Sequence, residues 1–177
     1  AVIFYHETSA SSASEMVCEL LQYISEGVVG RVEAESMLAG IMLDTRNYCM
    51  HTGVRTFEAS AFLRRRGADP IAVKKLFADS IEHHKIKNSI VSTAQQHKIY
   101  AIAVNDNNNL SDEESRIVSS QAADELLNIS GVKASFVLSR VGDAINISAR
   151  SYGEVNVQLI MERLGGGGHR TMSACQI

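Results

Sequence analysis

The spacing of apolar residues changes near residue 97, and this change constrains the fold more than any other feature. Before it, apolar side chains in "MVCELLQYI" recur at helical spacing behind a capping box, Ser12 to Glu15. After it, "ASFVLSR" and "AINISARS" alternate apolar with polar residues, as strands do. We therefore predict an α/β protein: a mostly helical part over residues 1–90, then a small α/β domain with a mixed sheet over residues 97–177.

The first part contains further helix signals. A second helix is predicted to stop near Asp44, and a third, "TFEASAFLRRRG", to stop at Gly67. Asp69 and Pro70 have the residue types of an N-cap and first helical residue, so they predict the start of a longer helix that fades over residues 87–98. The apolar residues 1–5, "AVIFY", resemble a strand.

The second part alternates strands and helices. We predict a strand over residues 99–104, a helix from the capping box at Ser111 to about Ile129, and a hairpin across "VGD". A further capping box, Ser151 to Glu154, predicts a helix that ends at the glycine run. In the second hairpin strand Asn146, Ser148 and Arg150 share one side, because strand side chains alternate.

Composition and charge exclude several classes of protein. The 177 residues suit one ordinary domain or two small ones, and the net charge of −3 provides no general attraction for nucleic acid or acidic lipid. No apolar run approaches the length of a membrane span. The three cysteines, Cys18, Cys49 and Cys175, lack CxxC spacing, so we expect reduced thiols.

The run Gly165, Gly166, Gly167, Gly168 followed by His169 is the main candidate site. Exposed backbone N–H groups in such a loop can form a concavity for anions, and a helix starting after His169 would add a partial positive charge. Ser148, Arg150 and Arg170 would supply further donors around a phosphate. The alternative is a flexible turn with a surface histidine, and the residues alone leave both readings open.

Asp44 is the second candidate, because it follows an apolar stretch in "AGIMLDTRNY". A carboxylate at such a boundary can bind a hard cation such as Mg²⁺ or Mn²⁺, or it can serve as a cap or turn residue. No HxxxH or DxD cluster stands nearby to complete a metal site.

Two groups of motifs resemble a known family. "ISARS", "NVQLIMERL" and "GGGGH" resemble the DHH-associated domain of the DHH phosphoesterase superfamily, and "IMLDT" with "TGVRTFEASAFLRRRGAD" resembles the last metal motif and following helices of its DHH domain. The whole chain is most similar to the cyclic di-AMP phosphodiesterases that carry GGDEF-like and DHH domains behind a membrane anchor.

The resemblance implies metal-dependent hydrolysis of a phosphodiester, with two Mn²⁺ ions sharing a bridging water. It implies that Asp44 is the final aspartate ligand of the metal site. It implies that Gly165–Gly168 and His169 close on the substrate phosphate, with Arg150 and Ser151 as the neighbouring contacts. The implied partner is a cyclic dinucleotide or short RNA.

One departure from the family is decisive for activity. The DHH triplet and the earlier aspartate motifs are absent from this sequence, and a single aspartate cannot hold two metal ions. We therefore expect a C-terminal fragment that is catalytically silent alone, lies on the cytoplasmic face, makes no direct membrane contact and derives from a membrane-anchored parent. Homodimer formation is a further expectation.

Other functions remain open at this stage. An oligoribonuclease or phosphoadenosine phosphatase of the same superfamily would share these motifs. A nucleic-acid-binding module is a different class, against which the negative net charge and the lack of a basic aromatic face both count. A plain structural domain with a glycine turn is the remaining alternative.

Overall fold

Helices form the first of two units into which the chain divides, Ala1–Ala78 and Asp79–Ile177. The computed structural model describes residues 4–24, 26–107 and 109–177. In the first unit the α-helices are α1 (Ala13–Ile24), α2 (Arg31–Asp44), α3 (Val54–Arg65) and α4 (Pro70–Leu76), with a short 3₁₀ turn at Glu26–Val28. The strand predicted for residues 1–5 lies largely outside the described residues.

Local signals explain where these helices begin and end. The Ser12 hydroxyl accepts from the Glu15 amide at 3.1 Å, as the predicted N-cap requires. Asp69 caps α4 by accepting from Ile71 N at 3.0 Å, and Pro70 is its first residue. Past the end of α3, Gly67 has φ +95°, a left-handed conformation that glycine adopts at little cost.

The core of the first unit lies where its helices face one another. It consists of buried apolar side chains from each helix, chiefly Cys18, Leu38, Ile41, Phe62, Leu63 and Val73. The single long helix predicted after Asp69 is wrong, because α4 ends at Leu76 and α5 (Ile81–Ser92) begins after a new N-cap. That cap is Ser80, whose hydroxyl accepts from His83 N at 3.1 Å.

The second unit contains a six-stranded mixed sheet. Its strands are β1 (Gln95–His97), β2 (Tyr100–Asn105), β3 (Ala134–Val141), β4 (Ala144–Ser151), β5 (Gly167–Gly168) and β6 (Met172–Gln176). The spatial order is β1-β2-β3-β4-β6-β5, with β2 and β3 parallel and the other neighbours antiparallel. This confirms the predicted α/β class, the mixed sheet and the β3–β4 hairpin.

Helices cover the two faces of this sheet unequally. Helices α5 and α6 (Asp112–Leu126) pack on one face, where Val118, Leu126 and Val137 are buried. The short α7 (Val157–Glu162) packs on the other face, where Val157 and Met161 are buried against β4 and β6. At the start of α6, Ser111 and Glu114 form the predicted capping box.

Three expectations for the second part require correction or comment. Ser151 and Glu154 do not start a helix: Ser151 ends β4, and α7 begins after the N-cap Asn156, whose side chain accepts from Leu159 N. No helix follows His169, because the chain turns back into β6. The compact units divide between residues 78 and 79, so α5 belongs to the second unit, where it packs on α6. The predicted domain limits, 1–90 and 97–177, stay a prediction.

Among the described residues, no helix has both the length and the apolar character that a bilayer crossing demands. Anchoring of a longer parent stays a prediction.

Candidate functional site

The glycine run forms a tight hairpin at the edge of the sheet. Gly167 and Gly168 of β5 pair with Ala174 and Ser173 of β6. The turn is closed by His169 and Met172, whose amides donate to each other's carbonyls at 2.6 and 3.2 Å. The backbone around the glycines is therefore held in register and does not form a slack linker.

Three of the four glycines are required by the fold itself. A Cβ on Gly166 would lie 2.6 Å from Cys175 Cα and closer still to the Ala174 carbonyl oxygen. A Cβ on Gly168 would lie 2.6 Å from the Met172 carbonyl oxygen, and its φ is +142°. Gly165 has φ +83°, which allows α7 to turn into β5.

Gly167 differs from its neighbours. Nothing lies within 4 Å of the position that its Cβ would occupy, and its φ is outside the left-handed range. The described residues therefore give no steric or conformational reason for glycine at this position.

Arg150 lies two strands away from the glycine strand. It is the register partner of Met172, and the backbone of Met172 is in turn hydrogen-bonded to that of His169. Adjacent strands are about 4.8 Å apart, so the backbones of Arg150 and His169 are separated by about 10 Å. The structure therefore brings the predicted arginine and histidine to opposite sides of one residue, Met172.

The Arg150 guanidinium is held in place by an acid. Its Nε lies 3.2 Å from Asp124 Oδ1 on α6, and its Nη1 donates to the Ala149 carbonyl at 3.0 Å. The Arg150 side chain is largely buried, with 13% exposure, whereas Asp124 is 42% exposed. Sequence reasoning missed Asp124, because only the packing of α6 on β4 brings the two residues together.

The remaining polar residues near the hairpin have different surroundings. His169 is exposed. Arg170 donates from Nε and Nη2 to the Gly153 carbonyl at 3.1 and 3.0 Å, so it fixes the loop after β4. Ser148 is buried, and its hydroxyl lies 3.5 Å from Asn146 Nδ2.

Ser151 is fully buried. Its hydroxyl donates to the Val155 carbonyl at 2.7 Å and accepts from Gly153 N at 3.2 Å. These bonds shape the loop between β4 and α7. The role of Ser151 as a substrate contact stays a prediction, and its hydroxyl has a structural role in the fold.

Asp44 is the exposed last residue of α2, in the first unit. The turn that follows is unusual, because Arg46, Asn47 and Tyr48 have left-handed φ values of 46°, 54° and 64°. Buried Thr45 holds this turn: its hydroxyl donates to the Ile41 carbonyl at 2.6 Å and accepts from Tyr48 N at 3.0 Å.

A metal centre needs a set of ligating side chains. Over residues 4–24, 26–107 and 109–177, no group of three His, Cys, Asp or Glu side chains is arranged to hold an ion. Two Mn²⁺ ions need several such ligands. The described residues therefore do not fit a complete two-manganese site.

Arg55 binds a carboxylate of its own fold. Its Nε and Nη2 donate to the two carboxylate oxygens of Glu19, each at 2.6 Å. These hydrogen bonds lower the pKa of Glu19. Arg55 therefore connects α1 to α3.

Comparisons with known proteins agree with the motifs. The DHHA1 domain matches residues 98–177. The chain is 46% identical over 180 residues to "Cyclic-di-AMP phosphodiesterase GdpP" of Geobacillus thermodenitrificans and 41% identical over 179 residues to "Cyclic-di-AMP phosphodiesterase PdeA" of Listeria monocytogenes. Each match covers 99% of this chain and 27% of the relative. The chain thus spans about a quarter of the length of these relatives.

A solved structure shares the fold. An exopolyphosphatase-related protein from Bacteroides fragilis matches 99% of this chain and 56% of its own, with a TM-score of 0.81 and 21% sequence identity. Residues 98–177 match the DHHA1 domain, as the motifs in that part of the sequence predict.

Proposed function

We propose that this chain binds the substrate phosphate in a phosphodiesterase that hydrolyses cyclic di-AMP to a linear dinucleotide. The observation that carries the proposal is Gly167, a glycine with open space where its side chain would be, two strands from Arg150. The names of the relatives, both cyclic-di-AMP phosphodiesterases, support the substrate and the type of reaction.

The hairpin and its neighbours have the chemistry that a phosphodiester needs. Without a side chain at Gly167, a phosphate oxygen can approach the peptide backbone closely. Arg150 supplies a planar, permanently charged donor group, and its contact with Asp124 fixes its direction before the ligand arrives. Exposed His169 adds a ring N–H donor. Because the net charge is −3, attraction for the phosphate must come from these local groups.

Asp44 belongs to the metal part of the same proposal. We propose that its exposed carboxylate is one ligand of a manganese site whose other ligands come from outside this chain. The exposure of Asp44 at the end of α2 and the buried anchor Thr45 beside it support this role.

The test is the affinity of this chain for cyclic di-AMP, measured by titration calorimetry. We expect His169→Ala and Arg150→Met each to weaken binding by about tenfold or more, because each removes a charge-assisted or polar hydrogen bond to phosphate. Arg65→Met is the matched control: it removes one exposed arginine from the end of α3, and we expect it to leave binding unchanged.

The outcomes separate the alternatives. If His169→Ala and Arg150→Met bind as the unchanged chain does, the hairpin is only a structural turn and the proposal is wrong. A preference for the linear dinucleotide over the cyclic one would instead favour the oligoribonuclease function. Salt-sensitive binding of long RNA would favour a nucleic-acid-binding module.

A further inference from the structure

Helix α6 leaves part of its side of the sheet uncovered. Two register partners identify the face of the sheet that α6 covers. Ser135 on β3 donates to the Ala123 carbonyl of α6, and Arg150 on β4, its register partner, pairs with Asp124 of α6. On the next strand, β6, the residues on the same face are all exposed: Met172, Ala174 and Gln176. The face is therefore open beside the glycine hairpin.

Two amide side chains stand together at one end of this open face. Asn146 on β4 and Gln176 on β6 are register partners, which places their Cβ atoms about 4.5–5.5 Å apart on the same face. The ladder continues beyond them, since Ile145 and Ile177 exchange hydrogen bonds of 2.8 and 3.0 Å. The ladder on both sides of Gln176 therefore fixes its backbone.

Both amides retain hydrogen-bonding capacity. Asn146 is half-buried, and its Nδ2 has a long contact of 3.5 Å with the Ser148 hydroxyl. The Gln176 side chain is exposed and has no hydrogen-bond partner within the part of the chain that the structure describes. Neither amide contributes a strong contact to the fold, so both are available to a ligand.

The two amides lie along the strands from the proposed phosphate site. Arg150 and Asn146 are four residues apart on β4, which corresponds to about 14 Å between their Cα atoms. Between them lie only the short side chains of Ser148 and its partner Ala174, beside Gly167. A nucleotide whose phosphate is bound near Gly167 has room to extend its base towards the amides.

We propose that Asn146 and Gln176 read the nucleobase of the substrate and select adenine over guanine. This inference rests on the phosphate site proposed above. An amide presents one acceptor and two donors. Adenine offers a donor at N6 and an acceptor at N7, so an amide can accept from N6 with its oxygen and donate to N7 with its nitrogen. Guanine offers acceptors at both O6 and N7. Guanine would place an acceptor against the amide oxygen.

The experiment compares three small ligands on this chain by titration calorimetry: adenosine 5′-monophosphate, guanosine 5′-monophosphate and ribose 5-phosphate. We expect the adenine nucleotide to bind about tenfold more tightly than the other two. Gln176→Leu and Asn146→Leu should each reduce its affinity towards that of ribose 5-phosphate, whose own binding should not change. Gln95→Leu is the matched control, an exposed glutamine on the far edge strand β1 of the same sheet.

The result identifies which proposal fails. If all three ligands bind equally to the unchanged chain, or if the preference for adenine persists in both leucine variants, base reading by this pair is refuted while the phosphate site stands. If ribose 5-phosphate and both nucleotides fail to bind, the proposed phosphate site is wrong and base reading is refuted with it. Urea unfolding of each variant checks that the substitutions leave the fold intact.

Discussion

Single alanine substitutions should separate the structural glycines from the one that we assign to the ligand. In Gly166→Ala the new methyl carbon would lie 2.6 Å from Cys175 Cα, about 1 Å short of the 3.5–4.0 Å optimum between carbon atoms. The nearest atoms belong to β6 itself, between β5 and β4, so they cannot rotate away as a flexible side chain could. We expect a cost near the upper end of the usual overpacking range, about 2–3 kcal/mol.

Gly167→Ala should behave in the opposite way. Its methyl group would meet nothing within 4 Å and would not force a left-handed residue, so the free energy of unfolding should stay the same or rise by about 0.4–1 kcal/mol. The same methyl group would occupy the space that we assign to the phosphate. We therefore expect the affinity for cyclic di-AMP to fall by about tenfold or more.

The assay must report on the second unit, Asp79–Ile177, because the chain has two units that need not unfold together. Hydrogen exchange of the β4 and β6 amides during thermal unfolding provides that readout. For a domain of this size, the expected cost of Gly166→Ala lowers its melting temperature by roughly 10–20 °C. The reasoning is refuted if Gly166→Ala is tolerated, or if Gly167→Ala is destabilised to the same extent.

Two further predictions concern reactivity. Burial raises the pKa of the Cys18 thiol to about 12, with the Glu15 and Glu19 carboxylates adding to the rise, so at pH 8 a thiol reagent should modify exposed Cys49 and spare Cys18 until the first unit unfolds. Rapid labelling of Cys18 in the folded chain would contradict this protection. Because the thiol of the unfolded chain ionises near pH 8.5, the free energy of unfolding should also fall as the pH rises from there towards 12. Incubation with Mn²⁺ and cyclic di-AMP should give no linear dinucleotide, because the described residues form no group of metal ligands. Sustained turnover, detected by chromatography, would contradict the assignment of Asp44 as one ligand among several.

Local patterns in the sequence determined much of the second unit. The alternation in "ASFVLSR" and "AINISARS" predicted the β3–β4 hairpin and the shared face of Asn146, Ser148 and Arg150, because side chains in a strand alternate whatever lies around them. The capping signals at Ser111 and Asp69 likewise predicted helix starts, since a cap depends on residues within one turn. The motif "GGGGH" and the strand "ISARS" indicated a DHH-associated domain by residue type and order alone, and the DHHA1 match to residues 98–177 confirms it.

Only the tertiary structure decided how the glycine run is used. The sequence left a slack turn and an anion site equally open, because four identical residues differ only in what surrounds them. The pairing of β5 with β6 brings Gly166 and Gly168 against the backbone and leaves Gly167 open. The strand order then places Gln176 beside Asn146 and Asp124 beside Arg150, residues that are 30 and 26 positions apart in the chain. Such contacts depend on long-range packing, which no local pattern encodes.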